Sequence, residues 1–294
     1  MKRSLGEKVF DGFNVVIMLI LAFIFFYPFY NLFILSLNDA QDAMRGDIYF
    51  WPRVFTLNNY AAVFKNDQLF RAFFISIART VIGTATSLLA TAMLGYGLSK
   101  KHLMFRKFYN ILFMVTMFFS GGLIPYFLTI KAYHLIDSFW VYIIPTLISV
   151  WNMVIMRTFF ANFPESVEEA AKIDGCSDVK IFFRIVLPLS MPVVATIALF
   201  NAVSQWNAWF DAYIYINDQD LLPIQTVLMK IINQNSASIE LSKLMNNEFA
   251  QNMKVSAESI KYATMMVATI PIVLVYPFVQ KYFVNGIMIG SVKE

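Results

Sequence analysis

The chain has 294 residues, of which 59% are hydrophobic and only 14% charged, with 30 phenylalanines and a formal net charge of +4. A soluble domain carries roughly 25% charged residues, so the composition excludes a water-surrounded globule and points to lipid. One cysteine, Cys176, and two separated histidines, His102 and His134, exclude an internal disulfide and a thiolate or imidazole metal cluster. No phosphate-binding Gly-Lys loop occurs, so any ATP involved is bound by another chain.

Six apolar runs, free or nearly free of charge, approach or exceed the roughly 20 residues that a helix needs to cross a bilayer. They predict an all-α integral membrane protein with spans over about 12–38, 71–99, 108–131, 138–161, 186–212 and 260–281. The first run is too long for the apolar region of a signal peptide, and no small-residue cleavage site follows it, so a retained span is expected. An even number of spans puts both termini on one side. Basic residues concentrate on that side, at Lys2, Arg3 and Lys8, at Lys100, Lys101, Arg106 and Lys107, and at Arg157, Lys172, Lys180 and Arg184. That side is therefore expected to be cytoplasmic.

In chain order, the first outer loop contains FWPRVFTLNNYAAVF, where Trp51-Pro52 predicts a turn and Asn58 or Asn59 an N-cap for a short surface helix. The second span carries Arg79 about nine residues, or roughly 13 Å along the helix axis, from its outer end. A charge at that depth is paired or faces a wet route. Two readings stand: a structural pair with Asp211, or a cation in a translocation path that attracts an anionic sugar. The third span contains SGGLIPYFL, in which Gly121, Gly122 and Pro125 predict a break, serving close helix packing or a hinge.

Between the fourth and fifth spans lies a polar segment, residues 164–185, predicted to form two short helices. Pro164 suits the first helical position. Glu165, Glu168 and Glu169 bring negative charge to the opening turns, where the helix dipole favours it. Val167, Ala170, Ala171 and Asp174 fall on one small-residue face, Gly175 is a natural stop, and Ser177 is placed to cap the second helix. Pro188 and Pro192 mark re-entry into the bilayer.

The fifth span ends NAVSQWNAWFDAYIYI. Asn201, Gln205, Trp206, Asn207, Trp209 and Asp211 are too polar and aromatic for a lipid-facing stretch, and Asn201, Gln205 and Trp209 are expected to share one stripe. Amides hydrogen-bond hydroxyls and indoles cover the apolar face of a sugar ring. The alternative is an interfacial aromatic belt with amides linking helices. In the outer loop 212–259, Pro223 is placed to start a helix with Ile224, Val227, Leu228 and Ile231 on one face, fit to dock an extracytoplasmic partner or to cap the bundle. The last span holds Pro271 and Pro277, and an uncharged stretch follows before the C-terminus.

The spacing Glu169-Ala170-Ala171, Gly175, Ile185 and Leu187-Pro188 resembles the EAA loop of bacterial ABC importer permeases. The Trp-Pro, Thr56-Leu57 and Asn59-Tyr60 pattern resembles carbohydrate-uptake permeases, and Phe118–Pro125 resembles the lipoprotein-like and complex-polysaccharide importers of Gram-positive bacteria. The whole chain looks like the second, six-span permease of a maltose-type importer. The resemblance implies a heterodimer with a homologous permease, two cytoplasmic ATPase subunits that bind the ATP and Mg, and an extracytoplasmic solute-binding lipoprotein. It also implies an oligosaccharide solute, neutral or acidic, and a multi-pass place in the bacterial cell membrane, with no enzyme activity, no cofactor or metal on this chain, and no nucleic acid. Carried over by position, Glu169, Ala170, Ala171, Asp174, Gly175, Leu187 and Pro188 would couple to the ATPase. The tail 282–294, at Gly290, Ser291 and Val292, would reach the ATPase interface. Arg79, Asn201, Gln205, Trp206, Asn207, Trp209 and Asp211 are the candidates for the solute path. A permease for another solute class and a membrane enzyme are the rival readings. The outer-loop pattern and tail weigh against the first, and the lack of clustered nucleophiles, bases or metal ligands weighs against the second.

Overall fold

The computed structural model describes residues 5–233 and 260–277, which are helical apart from turns, loops and one isolated bridge between Asn38 and Phe55. Two compact units divide the chain, one drawn from Met1–Phe70 and Leu228–Ile270, the other from Arg71–Val227 and Pro271–Glu294.

In the first unit, α1 (Leu5–Ser36) is apolar on every side, and no residue of its most apolar window is covered by the chain itself. A helix apolar all round belongs in lipid or in a protein core. At 1.5 Å per residue it reaches roughly 48 Å, more than the hydrocarbon thickness of a bilayer. The loop beyond it folds back on its last turns: Tyr30 Oη and Asn31 Nδ2 donate to the carbonyls of Phe50 and Ile48 at 2.9 and 2.8 Å. Asp39 caps the short α2 (Ala40–Ala43). The expected cap on α3 (Asn58–Lys65) is corrected: Leu57 holds the cap position and Thr56 Oγ1 accepts the Asn58 N–H at 3.1 Å. Asn59 turns inward instead, donating from Nδ2 to the carbonyls of Ser36 and Asn38 at 2.9 and 2.8 Å, and the Tyr60 hydroxyl meets Ser36 Oγ at 2.7 Å. Carbonyls left by the end of α1 are thus satisfied by Asn59, while Tyr60 holds the Ser36 hydroxyl.

In the second unit, α4 (Asp67–Ser99) is one unbroken helix of 33 residues. The third apolar run is broken as expected: the chain bends by 116° between α5 (Arg106–Phe118) and α6 (Leu123–Ala132), with Gly122 at φ +83° in the elbow. The fourth run departs from the continuous helix expected over 138–161. It opens as a single 3₁₀ turn, Phe139–Tyr142, and only α7 (Val150–Ala161) is α-helical, entered from a Ser149 cap. Pro145 explains this, since it lacks an N–H and pushes Ile144 away from helical angles.

The polar segment forms α8 (Glu165–Ile173) and α9 (Asp178–Leu189), the second running past the expected end at 185 through a π-helical turn, Phe182–Val186. Here too a continuous fifth helix over 186–212 is not what forms. The chain bends by 85° at Ser190 into α10 (Met191–Asn207), then breaks at Ala208-Trp209 before α11 (Phe210–Tyr215). Pro192 cannot donate to the Pro188 carbonyl, so the bend falls between the two prolines. A further helix, α12 (224–233), follows Pro223 as expected, with Ile224 and Val227 buried. Finally, α13 (Ile260–Pro277) is apolar.

Among the described residues, α1, α4 and α13 can each cross a membrane by length and composition, and the two bent pairs, α5–α6 and α9–α10, raise the number to as many as five; α7 is a shorter apolar helix. Inside the second unit one core joins Ala92 and Tyr96 of α4, Met156 and Phe160 of α7, Ala171 of α8, Ile181, Phe182 and Val186 of α9, and Val194 and Ile197 of α10.

Candidate functional site

The polar segment folds as its local chemistry dictates. Pro164 is the cap and Glu165 the first helical residue, one position later than expected. At the other end the Gly175 and Cys176 N–H groups donate to the carbonyls of Lys172 and Ala171, both at 3.0 Å. Gly175 stands at φ +77°, and this is the paired bond pattern of a glycine-closed helix end. Ser177 Oγ accepts the Lys180 N–H at 3.4 Å and opens α9. Lys172 and Asp178 join the two helices at 3.0 Å, a contact that raises the lysine's pKa.

The two faces of α8 have different fates. Ala171 is buried in the chain's own core, and its small side chain lets α8 lie close to Tyr96 and Phe182. Glu169, Ala170, Asp174 and Gly175 are exposed, and Ile173 is 86% exposed. Leu187 packs against the core and Pro188 is exposed. Of the three glutamates, Glu165 pairs with Lys101 at 2.8 Å, which lowers its pKa, and Glu168 pairs with Lys100. Glu169 has no ion-pair partner among the described residues. It borders a cavity of about 420 Å³ between this segment and the Ser99–His102 turn.

The second constellation surrounds Arg79, whose side chain is 1% exposed. Its Nε and Nη2 donate to Gln205 Oε1 at 3.3 and 3.2 Å, and Nη1 donates to the Ala208 carbonyl at 3.2 Å. Asp211 accepts from Nη1 at 3.3 Å and from Nη2 at 2.6 Å, and the guanidinium lies 4.3 Å from the Tyr142 ring centroid. All five donors of the arginine are engaged. Gln205 is equally spent, its Nε2 donating to the Tyr142 carbonyl and to Thr146 Oγ1 at 3.2 and 2.9 Å. Of the two readings of Arg79, the structure holds the pair with Asp211. The Ala208 carbonyl is available because the helix breaks there.

Asn201 is likewise turned inward, its Oδ1 accepting from Asn152 Nδ2 at 2.9 Å, and Trp206 is buried edge-to-face on Phe73 at 6.1 Å. The expected common stripe of Asn201, Gln205 and Trp209 is corrected: the break at Ala208 takes Trp209 out of the helix that carries the two amides. Trp209 instead packs edge-to-face with Tyr213 and Phe210 at 6.0 and 5.7 Å, near the exposed Asn207. Sequence reasoning missed Tyr142, Thr146 and Asn152, and Tyr96 and Lys100 as partners of the polar segment; none carries a local motif. Gly290, Ser291 and Val292 lie outside the described residues.

Gly83 supports the arginine site, since a Cβ there would stand 2.8 Å from Gln205 Nε2. Gly83→Val is therefore expected to displace Gln205 and to destabilise the chain by about 1–3 kcal/mol, read as a lower thermal midpoint of the detergent-solubilised protein.

Residues 1–289 match the family described as binding-protein-dependent transport system inner membrane component. The chain is 40% identical over 293 residues, with full coverage of both, to the polygalacturonan/rhamnogalacturonan transport system permease protein YtcP of Bacillus subtilis (strain 168). It is 38% identical to protein LplC of the same organism over all of this chain and 98% of the relative. Its fold matches a solved bacterial ABC transporter involved in the import of the acidic polysaccharide alginate, with a TM-score of 0.85 and 30% identity over 96% of this chain and 99% of that one.

Proposed function

The chain belongs to the family of binding-protein-dependent transport system inner membrane components, an ABC permease of the sugar-transport class and not an enzyme, and from that premise we propose how it works. It forms half of a translocation path with a homologous permease, in six spans with both termini cytoplasmic. Two cytoplasmic ATPase subunits bind the ATP and Mg, and a solute-binding lipoprotein delivers the oligosaccharide from outside. The segment 164–189 couples to the ATPase through Glu169, Ala170, Asp174 and Gly175, joined by Ile173, while Ala171 and Leu187 seat the segment from within and Pro188 turns the chain back toward the membrane. The tail at Gly290–Val292 touches the same ATPase.

One observation carries the coupling role: Glu169 is the glutamate of the segment with no ion-pair partner among the described residues, on an exposed face whose opposite side is keyed into the core. An unpaired carboxylate beside small and apolar exposed side chains suits a basic residue in a partner's groove. In the solute path, Arg79, Gln205, Asp211 and Trp206 are committed to internal contacts and shape the wall, joined by Asn201, whose Oδ1 is bonded to Asn152. Contact with the sugar falls to Asn207 and to Trp209 with its neighbour Tyr213, whose rings are the more accessible.

The solute is an acidic oligosaccharide, a reading supported by the polygalacturonan/rhamnogalacturonan and alginate named for the relatives. Reconstitution of this chain with its partner permease, ATPase and binding protein tests it. Oligogalacturonate is expected to be taken up faster, and to stimulate ATP hydrolysis more, than neutral oligosaccharides of the same length. Equal uptake of both would overturn the acidic specificity, and recovery of the chain without an ATPase would overturn the coupling role.

A further inference from the structure

We propose that Lys100 and Tyr96 are positioning residues that fasten α8 to the end of α4, so that the coupling segment and α4 move as one body; this rests on the coupling role proposed above.

The attachment is unlike an ordinary surface ion pair. Exposed pairs contribute little because water screens them and both side chains lose freedom. Here the Lys100 and Glu168 side chains are only 21% and 14% exposed. The ammonium that meets Glu168 also lies 3.9 Å from the Tyr96 ring centroid, where the ring's negative face favours a cation. Tyr96 is itself buried, edge-to-face with Phe160 at 5.9 Å and tilted against Phe182 at 5.1 Å. One tyrosine thus joins α4 to α7, to α9 and, through Lys100, to α8. The α4 end is firm as well: Arg106 Nε donates to the Leu98 carbonyl at 3.2 Å, satisfying a group of the last turn.

What makes this more than a local staple is the helix it grips. From Ser99 to Arg79 runs an unbroken stretch of α4, roughly 30 Å at 1.5 Å per residue. At Arg79 the same helix holds the Ala208 carbonyl and Asp211 on either side of the α10–α11 break. A shift imposed on α8 reaches that break through one rod gripped at both places.

Charge exchange in the assembled transporter tests the fastening. Lys100→Glu and Glu168→Lys are each expected to leave the complex assembled and hydrolysing ATP, yet to lower solute uptake per ATP roughly tenfold, within the range of coupling between linked sites. The double exchange restores most of that ratio. Tyr96→Phe keeps it, whereas Tyr96→Leu lowers it. Glu168→Gln, milder for folding, gives the same direction of change. The proposal is overturned if the single exchanges keep the wild-type uptake per ATP, or if they lose uptake only by losing the ATPase from the complex. Failure of the underlying coupling role shows elsewhere, as a wild-type chain that recovers no ATPase.

Discussion

Glu169→Ala is expected to abolish solute uptake while the chain still inserts and accumulates at the wild-type level. Glu165 and Glu168 are already paired with Lys101 and Lys100, so the carboxylate left for a partner's cation is that of Glu169. Its removal costs the fold little, because it is exposed and touches no basic group among the described residues. Gly175→Val is expected to reach the same loss by another route. At φ +77° an L side chain meets the carbonyl that follows it, at roughly 1–2 kcal/mol. A β-branched residue would also open the bonds that satisfy the Lys172 and Ala171 carbonyls. The checks are uptake in a strain lacking the native copy, membrane abundance, and recovery of the ATPase with the tagged chain. Wild-type uptake in both variants would remove the segment from the coupling pathway.

Asp211→Asn is expected to destabilise the protein by about 3–5 kcal/mol, because it leaves the Arg79 cation buried without its counter-charge. Arg79→Gln is expected to cost less, since the Asp211 side chain it abandons is 23% exposed and reaches water. Removing both charges together is expected to cost less than the two single changes summed, the signature of a coupled pair. Uptake separates the structural role from attraction of an anionic solute. With every guanidinium donor spent inside the protein, Arg79→Gln lowers uptake of neutral and acidic oligosaccharides by the same factor. A loss confined to acidic solutes would show that Arg79 acts on the solute itself. Thermal unfolding in detergent and parallel uptake of the two solute types supply the readings.

Much of this protein is legible in its sequence because the signals are local. Apolar runs announce membrane helices through composition alone. Gly175, Ser177 and Pro223 set helix ends through the angles and hydrogen bonds of their own turns, and the structure has those ends within a residue or two. The breaks were half legible: Gly121-Gly122 and Pro192 bend the chain where such residues should, and Pro145 carries a signal for the interruption at Ile143 that the long apolar run masks, whereas nothing near Ala208 advertises the one found there. The assignments that went astray depended on distant partners. Asn201, Gln205 and Trp209 looked like one stripe because a continuous helix was assumed, and Ala171 looked like its neighbour Ala170 because helix spacing does not say which face the core takes.

The sequence by itself determined that this is an all-helical membrane protein with a glycine-closed, acid-rich helix between its apolar runs, since both properties are written in consecutive residues. Only the tertiary structure decided which glutamate remains free and whether Arg79 is available. Lys100 lies 68 positions from Glu168, and Arg79 lies 132 from Asp211. Pairing across such separations is settled by packing, where a charge taken from water must find the partner that the fold brings to it.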